Sequence, residues 1–410
     1  MLIEWLLAGF ERMQRDVFRI VFIVVAMLFT AKYYYGPDIT TYVPLYESIG
    51  GIESFLAGKY HAQYEVGYMA FCSICRSVGL SFWGMTAVVS LLFFVALFCL
   101  IKRLRYGCTM ALALVVIMNP DLIYAQLRQC LAVSLFIFVV LAADQRKYIL
   151  SLLLALVAMT MHKSAIYMIV PTMLYFMIQP REIDMRPVGM LLLLLCLLAI
   201  IPTRDFVEQI IDNIQSQSAS AKSLRMHISY ANLHQSNLII YGAALVSLMT
   251  FYRQKKGRDA LLVAAMMGLI VIVVFYQYFM MLNRLRSYFL PFVIVAIIAA
   301  GIEAKEENVS WNTLIRQAGK VVVLFFLAYK VVAFDVNSAK DGDVLKMSTV
   351  FELANNTKEE LRERQQERAD RFWNEAFQKG DEKEFRSKNY VDQYKDDYAL
   401  KKSKTQKKKK

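Results

Sequence analysis

The stretch NPDLIYAQLRQCLAVSLFIFVV, Asn119 to Val140, sets Arg128 and Gln129 between two apolar runs. A second stretch, LALVAMTMHKSAIYMIVP, sets His162, Lys163 and Ser164 in the same way. A third, NRLRSYF, carries Arg284, Arg286 and Tyr288. Arginine's planar fork matches phosphate oxygens and stays charged throughout the physiological range. Histidine can take or give a proton near neutrality. Two or three arginines with a histidine therefore suit an anionic, phosphate-bearing ligand. Acidic and aromatic groups accompany them. YYYGPDITTYVPLYE supplies Asp38, Tyr42, Tyr46 and Glu47, and YEVGY supplies Tyr64, Glu65 and Tyr68. Carboxylates and aromatic faces suit sugar hydroxyls and rings. The competing explanations are plain ones: arginines snorkelling to lipid phosphate, tyrosines in an interfacial belt, and a histidine capping a helix end.

The elements that position these residues are apolar helices. The chain of 410 residues is 57% hydrophobic, and its mean hydropathy is +0.40. Many of its apolar runs suffice to cross a hydrocarbon core of about 30 Å. A soluble globular domain is excluded, and an all-α polytopic membrane protein is expected. Spans are read at 17–35, 82–101, 108–125, 129–143, 148–161, 164–179, 187–202, 237–252, 259–280, 285–301 and 317–334. The weaker amphipathic segment 65–80 is an interfacial or re-entrant helix, or one more span. The total is about 11–12 transmembrane helices. MLIEWLLAGFERMQR turns from apolar to basic, the reverse of a signal peptide.

Three regions follow: an N-terminal segment 1–16, a polytopic membrane domain 17–334, and a charged tail 335–410. The tail holds 19 basic and 16 acidic residues, and the rest of the chain holds 28 and 18. The basic excess thus belongs to the membrane part, as the positive-inside rule requires, and no nucleic-acid partner is expected. KRLRYG, DQRK, QPREIDMR, YRQKKGRD and EAKEEN fall on one side, read as cytoplasmic. Residues 36–62, the Arg128 and His162 bends, 203–236 and NRLRS at 283–287 fall on the other. The tail reads as a solvated charged helix ending in the disordered basic KKSKTQKKKK, with its side of the membrane left open. The six cysteines lie mostly in apolar runs, and the Cys72/Cys75 C-x-x-C pair lacks a second pair at zinc spacing. No metal or other cofactor is expected.

Several of these motifs, in this order, resemble those of the EpsG-type family of polysaccharide polymerases, related in kind to the Wzy O-antigen polymerases. GPDITTY resembles the family's Gly-x-Asp-x-x-x-Tyr, giving Asp38 and Tyr42. YEVGY resembles Glu-x-Gly-Tyr/Phe, giving Glu65 and Gly67. LRQCLA resembles Arg-Gln-x-x-Ala, giving Arg128 and Gln129. MHKSA resembles His-x-Ser-Ala, giving His162 and Ser164. NRLRSYF resembles Arg-x-x-x-Tyr-Phe, giving Arg284 and Tyr288. The resemblance covers roughly residues 17 to 350.

The resemblance implies a membrane glycosyltransferase with a GT-C-like multi-pass bundle. Its substrate would be a polyprenyl-diphosphate-linked oligosaccharide, joined to others on the outer face of a bacterial cytoplasmic (inner) membrane to make O-antigen, capsule or exopolysaccharide. Expected partners are that lipid-linked glycan, membrane lipid, and a polysaccharide flippase or chain-length regulator. Arg128, Gln129, Arg284, Tyr42, Ser164 and Tyr288 would bind diphosphate and sugar. His162, Glu65 and Asp38 would be catalytic, with His162 or Glu65 taking the proton from the attacking hydroxyl. Rival readings are a flippase or transporter of lipid-linked sugars, a glycan ligase, and a non-catalytic subunit of an export complex.

Overall fold

The computed structural model describes residues 11–33, 39–60, 64–104, 107–119, 122–123, 126–178, 264–265, 267–268, 279–302, 348–364 and 366–367. Helix α1 (Glu11–Thr30) leads into a two-residue strand β1 (Lys32–Tyr33). Two short helices follow, α2 (Ile39–Ser48) and α3 (Ile52–Leu56), then α4 (Val66–Ser77), α5 (Phe82–Ile101) and α6 (Cys108–Met118). Next come α7 (Leu127–Asp144) and α8 (Tyr148–Met161). A 3₁₀ turn (Lys163–Ala165) then leads into α9 (Ile166–Ile178). Helix α10 (Phe279–Ile302) and strand β2 (Ser348–Thr349) complete the named elements.

Among the described residues, two helices are long and apolar enough to cross a membrane, α5 and α7. Twenty residues in α5 give about 30 Å of rise, the thickness of a hydrocarbon core. Helix α7 is the centre of the bundle. Its apolar residues run all round, and it packs against α5, α8 and α10. Phe136 of α7 meets the edges of Tyr288, Phe289 and Phe292 of α10. The outer helices bury one face and leave the other apolar yet uncovered. Ile20, Ile23, Val24 and Met27 on α1 and Ile149, Leu152, Leu153 and Leu156 on α8 are all exposed. In water such faces would aggregate; against lipid tails they are in their proper solvent. Buried hydroxyls bond within the bundle: Ser134 to the Cys130 carbonyl, and Ser151 across the α7–α8 hairpin to the Val139 carbonyl at 2.9 Å.

The apolar runs at 82–101 and 148–161 match their helices end for end, but only the first is long enough to cross a membrane; the 14 residues of the second rise about 21 Å. Three expectations change. The span expected over 108–125 stops at Met118, because Asn119 precedes a proline that disfavours helical backbone there. Its 11 residues rise only about 16 Å, too little to cross alone. NRLRS at 283–287, expected as a bend, lies inside α10, so Arg284 and Tyr288 project from a helix. Residues 36–62, expected as an outer loop, contain α2 and α3. The expected spans at 187–202, 237–252 and 317–334, most of 259–280, and the tail beyond 367 lie outside the described residues.

Two long-range ties fix the ends of the bundle. At one end Arg103, after α5, pairs with Asp144 at the end of α7, joining the two loops expected on one side. At the other end β1 pairs antiparallel with β2, Lys32 opposite Thr349 and Tyr33 opposite Ser348. The Val350 N–H adds a 2.8 Å bond to the Ala31 carbonyl. Antiparallel partners stand about 4.5–5.5 Å apart at Cα, within disulfide reach. In a cysteine-free version, Tyr33→Cys with Ser348→Cys should cross-link on mild oxidation, as read by a gel shift after cleavage between the two positions. A cysteine at residue 145 should not link to Tyr33→Cys.

Candidate active site

Arg128 stands in the first turn of α7, where the apolar helix meets the loop that follows Asn119. Its guanidinium Nη1 donates to Glu65 Oε2 at 2.6 Å, and its Nε donates to the Tyr42 hydroxyl at 3.1 Å. The Tyr64 ring lies 5.1 Å from the guanidinium carbon. The second carboxylate oxygen, Glu65 Oε1, accepts the Lys163 backbone N–H at 3.3 Å. Glu65 thus ties α7 to the turn after α8. Burial alone would raise its pKa, but the Arg128 charge and hydrogen bond outweigh it, and the carboxyl is held below its ordinary value.

Gly67 explains how Glu65 arrives there. A Cβ at Gly67 would lie 2.1 Å from Thr160 Oγ1 and 2.9 Å from the Thr160 backbone carbon. Only glycine lets α4 close on α8 at this height. Gly67→Ala should push the helices apart and cost about 1–3 kcal/mol by overpacking. Lower thermal stability together with lost activity is the expected result, measured on purified protein.

His162 ends α8 with extended backbone, φ −155 and ψ 128. Its Nδ1 accepts the Ser164 backbone N–H at 3.2 Å and lies 2.6 Å from Ser164 Oγ. Ser164 Oγ in turn lies 3.1 Å from the Tyr288 hydroxyl on α10. Gln129, beside Arg128, donates to the Arg284 carbonyl and so holds the start of α10 against α7. Burial is the largest influence on His162 and lowers its pKa; Glu65 opposes this, and Arg128, Arg284 and Lys163 reinforce it, leaving it at about 4. The imidazole is neutral at pH 7 and buried.

The structure therefore brings together Tyr42, Glu65, Arg128, Gln129, His162, Ser164, Arg284 and Tyr288 at one end of the bundle. Asp38 lies outside the described residues. Lys32 was not singled out by its sequence context, yet it is buried and its Nζ donates to the Ile123 carbonyl at 2.7 Å, just before α7. The available signal was a lysine directly after an apolar helix and before three tyrosines. Among the described residues no group of His, Cys, Asp and Glu could hold a metal ion.

Apolar helices with lipid-compatible outer faces, around a sunken cluster of paired charges, define a helical membrane protein with a polar site at one end. The model of the EpsG family matches residues 17–344, and the chain belongs to that family. Membership suggests a membrane polysaccharide polymerase-like function and lipid-linked saccharide substrates. No curated protein and no solved structure matches the chain.

The His162 shift has a stability consequence with a definite sign. Unfolded, the imidazole takes up a proton near 6.5, whereas folded it does so only near 4. As pH falls through that window the unfolded state binds the proton and the native state does not, so the native state loses stability. The loss is at most about 3 kcal/mol. Thermal unfolding in detergent between these pH values should show it, and His162→Gln should remove that part of the slope.

Proposed function

We propose that the protein is a polysaccharide polymerase. It transfers the growing glycan from one polyprenyl diphosphate to the terminal hydroxyl of another lipid-linked oligosaccharide repeat unit, on the outer face of a bacterial inner membrane. The reading includes a multi-pass bundle of about 11–12 transmembrane helices of GT-C-like kind, extended through the membrane domain 17–334 by the apolar runs of its sequence. The observation that carries it, beside family membership, is Arg128: a guanidinium sunk at the end of a membrane helix, aimed by Glu65 and Tyr42, with the Arg284 helix held alongside.

In this reading Arg128 and Arg284 bind the diphosphate and stabilise the charge it gains as the anomeric C–O bond breaks, a role that needs no metal. Glu65 has both oxygens occupied and acts by holding Arg128. Gln129 positions Arg284 through its carbonyl. Tyr42, Ser164 and Tyr288 supply hydroxyls for sugar and phosphate, and His162 and Asp38 complete the catalytic group. A flippase or chain-length regulator acts before and after this step on the same lipid-linked glycan.

Cells lacking the protein should lose long glycan and accumulate single lipid-linked repeat units. Absence of repeat units from the outer face would instead mark a flippase. Lysine cannot reproduce the two-point guanidinium contact. Arg128→Lys and Arg284→Lys should leave the protein in the membrane while lowering turnover about 30- to 1000-fold and shortening the glycan. Normal chain length in both variants at normal abundance would refute the diphosphate role.

A further inference from the structure

The direction of the hydrogen bonds around His162 fixes which nitrogen carries its proton. A backbone N–H can only donate, so the Ser164 N–H at 3.2 Å requires a lone pair on Nδ1. Ser164 Oγ, 2.6 Å from the same nitrogen, then donates its proton there and accepts from the Tyr288 hydroxyl at 3.1 Å. The whole chain, Tyr288 to Ser164 to His162, points its donors at Nδ1. In a neutral imidazole the one proton must therefore sit on Nε2. His162 is more than nine-tenths buried, and its Nε2 has no hydrogen-bond partner among the described residues. Nε2 is not among the sealed, unpartnered polar atoms of the interior, so its N–H is the group the ring has left to offer a ligand. The charges that act on the ring are three cations, Arg128, Arg284 and Lys163, and one anion, Glu65, already engaged by Arg128 and Lys163.

We infer that His162 acts on the diphosphate as a neutral Nε2–H donor and is not the base that takes the proton of the attacking hydroxyl. The inference rests on the polymerase reading above and deepens it. The hydroxyl oxygen forms the new bond to the anomeric carbon, and the anomeric C–O bond to phosphate breaks. Its electron pair stays on the departing diphosphate oxygen, where Nε2–H and the guanidinium groups meet the added charge. The hydroxyl proton leaves to water. Glycosyl transfer passes through an oxocarbenium-like state, so the leaving group's charge is the larger demand on the site.

Two measurements on the full chain in lipid nanodiscs test this. Nitrogen-15 histidine NMR of the wild type, with the His162 signals assigned by their loss in His162→Gln, should show a protonated Nε2 and a bare Nδ1. A protonated Nδ1 overturns the inference. Binding of polyprenyl diphosphate and turnover of the lipid-linked oligosaccharide provide the second arm. His162→Ala should weaken binding by about 10-fold or more, the loss of one hydrogen bond to a charged group. His162→Gln retains an N–H and should recover much of what His162→Ala loses, in binding and in turnover alike. If His162→Gln binds normally but turns over no faster than His162→Ala, His162 is the base and the inference fails. Wild-type binding of diphosphate with unchanged affinity in His162→Ala also overturns it, while leaving the polymerase reading in place. If the wild type binds no diphosphate, the polymerase reading fails and the inference falls with it.

Discussion

The ion pair between Arg128 and Glu65 is the constraint from which the rest of the site follows. The carboxylate side chain is only 8% exposed, so neither charge is tolerable there alone. Breaking a buried pair by deleting one partner costs about 3–5 kcal/mol, much of it for the charge left behind. The pair therefore dictates that α4, α7 and the turn after α8 meet at one height in the bundle. Gly67 permits the approach, the Lys163 N–H takes up the second carboxylate oxygen, and Tyr42 takes the remaining guanidinium edge. A site built this way is preorganised: its cations are already aimed before any anion arrives.

The pair also divides labour among titratable groups. Glu65 is kept ionised by Arg128, and His162 is kept neutral by burial and by the same arginines. An acid and a base side by side would ordinarily exchange a proton, but here each is held in the form that suits an anionic ligand. The carboxylate serves the guanidinium, and the imidazole is left with a donor to offer.

Much of the bundle was legible because lipid-facing helices write their length into hydropathy. Helices α5 and α8 begin and end where the apolar runs do. The gathering of Arg128 and His162 was legible too, since one hairpin of two apolar runs returns the chain to the end it left, whereas the approach of Glu65 was not. The boundaries that misled did so for physical reasons. An arginine one turn inside α10 and an arginine in a bend interrupt an apolar run identically, so NRLRS read as a loop. Helix α6 stops early through a backbone effect at Asn119 that hydropathy does not register. Lys32 and the β1–β2 pairing were hidden because a two-residue ladder between positions more than three hundred apart leaves no local pattern. The occupied oxygens of Glu65 depend on a backbone N–H, which sequence cannot display.

That small ladder has a geographical consequence. Lys32 places its backbone against Thr349 and its ammonium on the Ile123 carbonyl, a few residues ahead of Arg128. Ser348 and Thr349 therefore stand at the same end of the bundle as the charged cluster. Beyond them the sequence has no apolar run that could carry the chain back through a bilayer. The ladder thus moors the segment that opens at Ser348 to the end of α1, beside the helix that carries Arg128.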